Sequence, residues 1–421
     1  MTASIFTNLF VACVVVSFSF SMWLTWRQIR HVASHRQQVP NAFAAAITLE
    51  AHQKAADYTC HKARVNAIEE SVSTVLLLAL TLGGGLAWLF GTSATFTSGT
   101  YLLGLTFIVG LMVATSVVSM PFELYRTFII EARYGFNKTT WSTYLVDTLK
   151  GLLVAAFIGV PLLLVTFWLM EKMGSLWWLY VWLTWTGFSI AMMAIYPTFI
   201  APLFNKFAPL DDMALKARIE ALLVKCGFQA KGLFVMDGSK RSSHGNAYFT
   251  GFGRNKQIVF FDTLLARLTP AEIEAVLAHE LGHFKRKHIA KRMVSTFAVT
   301  LIILALMGWV IDKSWFYTGL GLAQAGTPHV AVSLVLFFTV LPVFAFWLTP
   351  LASLTSRKHE FEADAYAATE TNAVDLVAAL VKLYRDNAST LTPDPIHSAV
   401  YDSHPPAAIR VAHLNKFASI H

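Results

Sequence analysis

Long apolar runs alternate with short polar ones along most of the chain. A membrane-crossing helix needs about 20 mostly apolar residues. Seven stretches meet that length within a few residues: 5–26, 72–90, 101–120, 152–170, 176–196, 293–311 and 330–351. The Ser/Thr/Gly-rich segment 91–99 predicts a short turn between the second and third. Two other stretches read as soluble. In 211–226, Leu215, Ile219, Leu222 and Leu223 recur at helical spacing. Residues 232–236 and 257–261 read as short strands bounded by Gly, Asp and Asn. A third strand is expected at 246–250, with Gly251 and Gly253 marking a turn. Thr269-Pro270-Ala271-Glu272 carries a helix start, with Thr as N-cap, Pro first and Glu third, and that helix should run to about Arg286. The second soluble stretch, 355–421, predicts helices over 357–369 and 372–385 and a Pro-punctuated tail.

Composition supports a membrane reading. Of 421 residues, 55% are hydrophobic and only 14% charged, against roughly 25% charged in a soluble domain. Intrinsic disorder and coiled coil are excluded. The net charge of +8 would suggest nucleic acid in a soluble protein, but the basic residues gather in loops beside apolar runs, so no nucleic-acid partner is expected. Arg27, Arg30, Arg36, Lys54, Lys62 and Arg64 follow the first span; Arg126, Arg133, Lys138 and Lys150 follow the third; 201–292 is richly basic, as are Arg357 and Lys358. The alternate loops hold only Lys172 and Lys313. The positive-inside rule places the rich set in the cytoplasm, with the N-terminus outside and the C-terminus inside. No Lys or Arg precedes the first span, which reads as a retained helix rather than a cleaved signal. Cys13, Cys60 and Cys226 form no CxxC and no disulfide framework.

The chemistry centres on His279-Glu280-Leu281-Gly282-His283. Residues four apart share a helical face, so both imidazoles can reach one metal ion. The adjacent Glu280 can act as general base on a water polarised there. A catalytic zinc takes three protein ligands and leaves one position open. Glu360, in Arg357–Asp364, is a candidate third ligand, with Asp364 on the same face to support a ligating histidine; Glu362 points well away. By spacing alone this is equally a solvated acidic-basic helix. His404, in Ser403-His404-Pro405-Pro406, and Arg410 could stabilise an oxyanion, although alone His404 reads as a turn histidine. The segment 241–249 runs into the middle strand, whose edge could bind an extended peptide; His244 has an ordinary loop reading. His288 reads as the frayed end of the motif helix. His31, His35, His52 and His61 read as surface.

The combination resembles the type I CAAX prenyl proteases, integral-membrane zinc metallopeptidases. Besides the zinc motif, Pro121-Phe122-Glu123-Leu124-Tyr125, Glu131-Ala132-Arg133-Tyr134-Gly135-Phe136-Asn137, Ile195–Phe207, Ser242–Phe249, Arg357–Asp364 and Ser403–Arg410 recur in order. The resemblance implies one zinc per chain held by His279, His283 and Glu360, and Glu280 as catalytic base and acid. It makes Asp364 a support of a zinc ligand, Asn246 substrate-binding, and His404 with Arg410 transition-state stabilisers. It implies a mainly α-helical polytopic membrane protein with seven transmembrane helices around a water-filled chamber. A small α+β zinc-metallopeptidase domain would close the cytoplasmic side. The expected division is helices one to five in 1–200, the first part of the peptidase domain in 201–292, helices six and seven in 293–354 and the rest of that domain in 355–421. Expected partners are the lipid bilayer and a peptide or protein substrate. The role is removal of the C-terminal CAAX tripeptide from prenylated proteins, or membrane-protein quality control. The short loops suggest a bacterial member in the inner membrane; a eukaryotic one would sit in the endoplasmic reticulum. A monomer is expected. A site-two type intramembrane protease is disfavoured, because dense charge flanks the motif and no Leu-Asp-Gly occurs. A transporter with a structural zinc would need four closing ligands.

Overall fold

The structure, a computed structural model, describes residues 1–250, 257–322 and 329–418. The turn expected at Gly251 and Gly253 lies outside the described residues. The chain starts with helices α1 (Ala3–Ser34), α2 (Leu49–Leu80), α3 (Gly85–Phe96), α4 (Thr100–Leu124), α5 (Trp141–Lys172), α6 (Trp177–Ile195) and α7 (Ala201–Phe204). There follow β1 (Phe207–Pro209), α8 (Met213–Cys226), β2 (Gly232–Met236), β3 (Ala247–Thr250), β4 (Gln257–Phe261), α9 (Asp262–Leu265) and α10 (Pro270–Lys285). Helices α11 (His288–Val310), α12 (Ser314–Thr318), α13 (Val330–Ala345), α14 (Thr349–Glu370), α15 (Ala373–Asp386), α16 (Pro395–Tyr401) and α17 (Ala407–Ala418) complete it.

Among the described residues, six helical stretches are long and apolar enough to cross a membrane, and the bent pair α2–α3 makes a seventh when taken as one span. The second span is therefore not straight, as 72–90 had suggested. It bends by 63° between Leu80 and Gly85. Gly84 has a φ of 75°, and a Cβ on Gly83 would stand 2.7 Å from the Ala79 carbonyl oxygen. Both positions need glycine. The turn expected at 91–99 shrinks to match, because residues 91–96 complete α3.

The spans form walls more than a solid bundle. Only 11% of the apolar stretch of α5, and 6% of that containing α6, is buried in protein. Helix α5 lies against α4, α6 and α13, and α6 against α5 and α11. Most of the apolar surface of α5 and α6 is therefore left uncovered by the rest of the protein. Dense packing is found at one end. There Phe10 of α1, Phe107 of α4, Phe167 of α5, Phe316 and Tyr317 of α12 and Leu336 of α13 are almost fully buried together. Within a membrane, close van der Waals packing of these side chains, rather than their removal from water, ties the helices at that end.

At the other end a four-stranded sheet has the order β1-β2-β4-β3. Strands β2 and β4 run parallel and the other pairs antiparallel, so β3 is an edge strand. The three expected strands are present, and β1 is an addition. Three residues ending in Pro209 carry too little alternation to signal a strand. One core joins Ile219 of α8, Ile258 and Phe260 of β4, Leu277 and Leu281 of α10, Ala367 of α14, Leu376 and Ala379 of α15 and Leu414 of α17. Segments on either side of the last two spans thus share a single hydrophobic core.

Helix α10 begins as expected. Thr269 Oγ1 accepts from the Glu272 N–H at 3.4 Å, and the Thr269 N–H donates to Glu272 at 2.7 Å. It ends at Lys285, and Arg286 and Lys287 alone separate it from α11. Lys287 adopts a left-handed φ of 57°, a conformation costly for a residue with a side chain. The helix expected over 357–369 starts earlier, at Thr349, one 3₁₀ turn after α13. Pro350 falls in its first turn, where no backbone donor is needed. Hydropathy falls after 351 but the helix continues, so the last two membrane helices run directly into the segments bearing the candidate ligands.

Candidate active site

Helices α10 and α14 cross at Gly282. A Cβ there would lie 2.9 Å from Ala363 Cα and 3.1 Å from its carbonyl oxygen. Only glycine lets the backbones approach this closely, and that approach brings Glu360 to the motif face. His279 Nε2 and His283 Nε2 lie 3.2 Å apart. Glu360 faces both, with Oε2 at 3.5 Å from His279 Nε2 and Oε1 at 3.4 Å from His283 Nε2. One ligand atom from each of the three residues lies within 4.8 Å of the others.

The residues fit a metal ion. Buried Glu360 Oε2 has no hydrogen-bond partner; His279 Nε2 and Arg410 Nη1 each stop 3.5 Å away, so a coordination position on this oxygen stays open to a cation. Burial and the Arg410 charge both oppose protonation of His279. The facing carboxylates of Asp364 and Glu360 outweigh them and push its pKa up to about 9. Two imidazoles and a carboxylate converging in a buried space form a donor set that suits a divalent ion such as zinc.

Asp364 is fully buried and stands 2.8 Å from His279 Nδ1. It accepts from Arg410 Nε and Nη2, each at 2.7 Å. Arg410 is itself buried, with Nη1 3.5 Å from Glu360 Oε2. His404 Nε2 lies 3.7 Å from the same oxygen, and its side chain is 64% exposed. A cavity of about 120 Å³ is lined by Asn246, His279, Glu280, Glu360, His404 and Arg410 among others. All the residues singled out from the sequence line this space or, as His283 and Asp364 do, contact a residue that lines it. Asn246 is exposed at the start of edge strand β3. Through His404, Arg410, Leu380 and Leu383 the cavity continues into one of about 540 Å³. That space shares Gln28, Thr59, Asn387 and Ser389 with another of about 460 Å³ beside α1 and α2.

Several sequence readings need correction. His288 is not a frayed end: it is 2% exposed, with Nδ1 3.0 Å from His283 Nδ1 and Nε2 2.9 Å from Glu362 Oε2. Glu362 does point away from Glu360, but towards His288. His52 is fully buried and bonds the His35 carbonyl oxygen at 2.9 Å, so it is no surface residue. His244 is more than a loop histidine. It stacks on Phe136 at 4.4 Å, meets Asn387 Oδ1 at 3.2 Å and lies 3.5 Å from Glu131 Oε2. Glu131 also accepts from the Tyr58 hydroxyl. The Lys138 N–H donates to the Arg241 carbonyl at 3.0 Å and the Ser243 N–H to that of Phe136 at 3.1 Å. The basic loop between α4 and α5 thereby anchors the segment that presents Asn246 and β3. These links join residues roughly a hundred positions apart, and no local pattern announces them.

Known proteins share this arrangement. The family model for the CAAX prenyl protease N-terminal region, five membrane helices, matches residues 28–206, and that for peptidase family M48 matches residues 209–418. The CAAX prenyl protease 1 homolog of Arabidopsis thaliana is 35% identical over 96% of each chain. CAAX prenyl protease 1 of Saccharomyces cerevisiae is 33% identical over 95% of this chain and 93% of its own. The crystal structure of S. mikatae Ste24p superposes with a TM-score of 0.91 at 32% identity, covering 97% of this chain and 99% of that one. Matched in sequence and fold over nearly its whole length, the chain belongs to the M48 peptidases of the CAAX prenyl protease 1 type, multi-pass membrane metalloproteases acting on peptides or proteins.

Proposed function

We propose that His279, His283 and Glu360 hold one zinc ion per chain and that a peptide bond is hydrolysed beside it. The observation that carries this is the convergence of the three side chains, with a Glu360 oxygen that accepts no hydrogen bond and Glu280 lining the same cavity. Zinc supplies Lewis acidity at the scissile carbonyl and the attacking water. Glu280 accepts the proton lost by that water as the C–O bond forms, and returns it to the amine nitrogen as the C–N bond breaks. His404 Nε2 donates to the carbonyl oxygen as charge develops there. Arg410 acts through others: its Nε and Nη2 are engaged by Asp364, so it holds the carboxylate that orients His279. Asn246 and the free edge of β3 align the substrate as an added strand.

The substrate we propose is a prenylated protein with a C-terminal CAAX sequence, from which a tripeptide is released. Similarity over nearly the whole chain to CAAX prenyl protease 1 proteins supports it. Incubation with a farnesylated CAAX peptide, with products identified by mass spectrometry, should show that tripeptide. Cleavage of an unmodified membrane protein instead would favour a quality-control role. In the same assay His404→Ala should lower kcat by about 10²–10³, with KM and zinc content little changed. An unchanged kcat would return His404 to a turn residue.

The site is complete within one chain, which supports a monomer, and 201–292 with 355–421 act as one peptidase domain on the membrane helices of 1–200 and 293–354. The basic loops support a cytoplasmic zinc site with the N-terminus outside, in a bacterial inner membrane or, in a eukaryote, the endoplasmic reticulum. Single cysteines replacing exposed Ser98 and Lys231, in a background without Cys13, Cys60 and Cys226, should label from opposite sides. Labelling from one side would overturn this topology.

A further inference from the structure

The two imidazoles of the metal cluster are supported differently. His279 turns its Nδ1 to a carboxylate, Asp364, at 2.8 Å. His283 has no carboxylate in that position; its Nδ1 meets His288 Nδ1 at 3.0 Å. The opposite nitrogen of His288 meets Glu362 Oε2 at 2.9 Å. The geometry points to a positioning relay, His283–His288–Glu362, in which His288 and Glu362 set the tautomer and ring orientation of one metal ligand. This rests on the reading that His279, His283 and Glu360 hold zinc.

The hydrogen positions follow from donor and acceptor balance. A ligating His283 must present the Nε2 lone pair, so its proton sits on Nδ1. That N–H needs an acceptor, and His288 Nδ1 serves only if the His288 proton is on Nε2. The Nε2–H then donates to the Glu362 carboxylate, which only accepts when ionised. The opposite arrangement would place the His283 proton on Nε2, facing the metal cluster. One proton pattern therefore satisfies every nitrogen along the chain and leaves the ligating atom free. His288 is held for this task. It is 2% exposed, and its ring stacks on His359 at 4.0 Å with 13° between planes. His359 directly precedes the ligand Glu360. The left-handed Lys287 turns the chain so that the first residue of α11 lies under the last turn of α10. Partners that orient a metal-ligating histidine usually change metal affinity by 10–100-fold when lost.

The test is zinc affinity of the full-length protein in detergent, by competition with a chelator of known affinity, alongside the melting temperature of the zinc-free form. Glu362→Ala and His288→Phe, which keeps an aromatic ring against His359, should each weaken zinc binding by about 10–100-fold. The melting temperature of the zinc-free protein should stay near wild type. Glu362→Gln keeps an accepting oxygen and should lose clearly less affinity than the about 10–100-fold of Glu362→Ala. The double variant should bind no more weakly than His288→Phe alone, because one chain is broken only once. Wild-type affinity in both single variants, equal losses in Glu362→Gln and Glu362→Ala, or additive losses in the double variant would each overturn the relay. Absence of zinc binding by the wild-type protein would instead overturn the metal site itself.

Discussion

Glu280→Gln should keep the fold and one zinc per chain while losing turnover by at least about 10²–10⁴. Glu280 follows His279 on α10 and lines the cavity bounded by His279, Glu360 and His404. The amide has the same shape and still hydrogen-bonds water, but it cannot take a proton. Hydrolysis moves one proton from the attacking water to the leaving amine, and a single group within reach of both must carry it. The predicted loss corresponds to about 3–5.5 kcal/mol of transition-state stabilisation. Glu280 is not among the three atoms that meet at the cluster, so zinc content should be unaffected. Elemental analysis beside single-turnover kinetics separates the two quantities. Near-native turnover in a zinc-loaded variant would remove Glu280 from the mechanism.

His279→Ala should lose both zinc and activity. The ring performs two tasks, presenting Nε2 to the cluster and receiving Asp364 on Nδ1. Removing it leaves two of three ligands, and a site with an open position has none to spare. The fold should survive, because Asp364 keeps its paired bonds to Arg410 and is not left as an uncompensated buried charge. Asp364→Asn is the milder contrast: its remaining oxygen can still accept from His279, and the loss should be nearer the 10–100-fold typical of supporting residues. Full zinc occupancy in His279→Ala, measured on the purified protein, would sink the ligand assignment.

How far the sequence reaches can be traced through particular residues. The spans were legible because lipid demands long apolar helices, and length and hydropathy are local quantities. The motif helix was equally legible. Its cap at Thr269–Glu272 and the spacing of His279 and His283 are set within a few turns of one helix. Glu360, Asp364, His404 and Arg410 lacked that support, since spacing alone left them open to bland readings. Resemblance to a family raised them, and the fold then brought them to one cavity. The bend between α2 and α3 lay in plain view at Gly83-Gly84-Gly85, yet a hydropathy count does not register backbone conformation.

Glu362 marks the boundary most clearly. Two residues from Glu360, it lies on another face of α14, as helical periodicity requires. Periodicity says nothing of which element covers that face. There α11 starts, turned back by Lys287, and it places His288 between Glu362 and His283. In the same way the loop at 136–138 pairs with residues 241–243 across more than a hundred positions of chain. Spacing, capping and hydropathy are properties of neighbours along the chain, so the primary sequence suffices for them. Which faces meet depends on helix crossings such as that of Gly282 against Ala363. There close packing selects one partner among many sterically possible ones, and that selection exists only in the folded molecule.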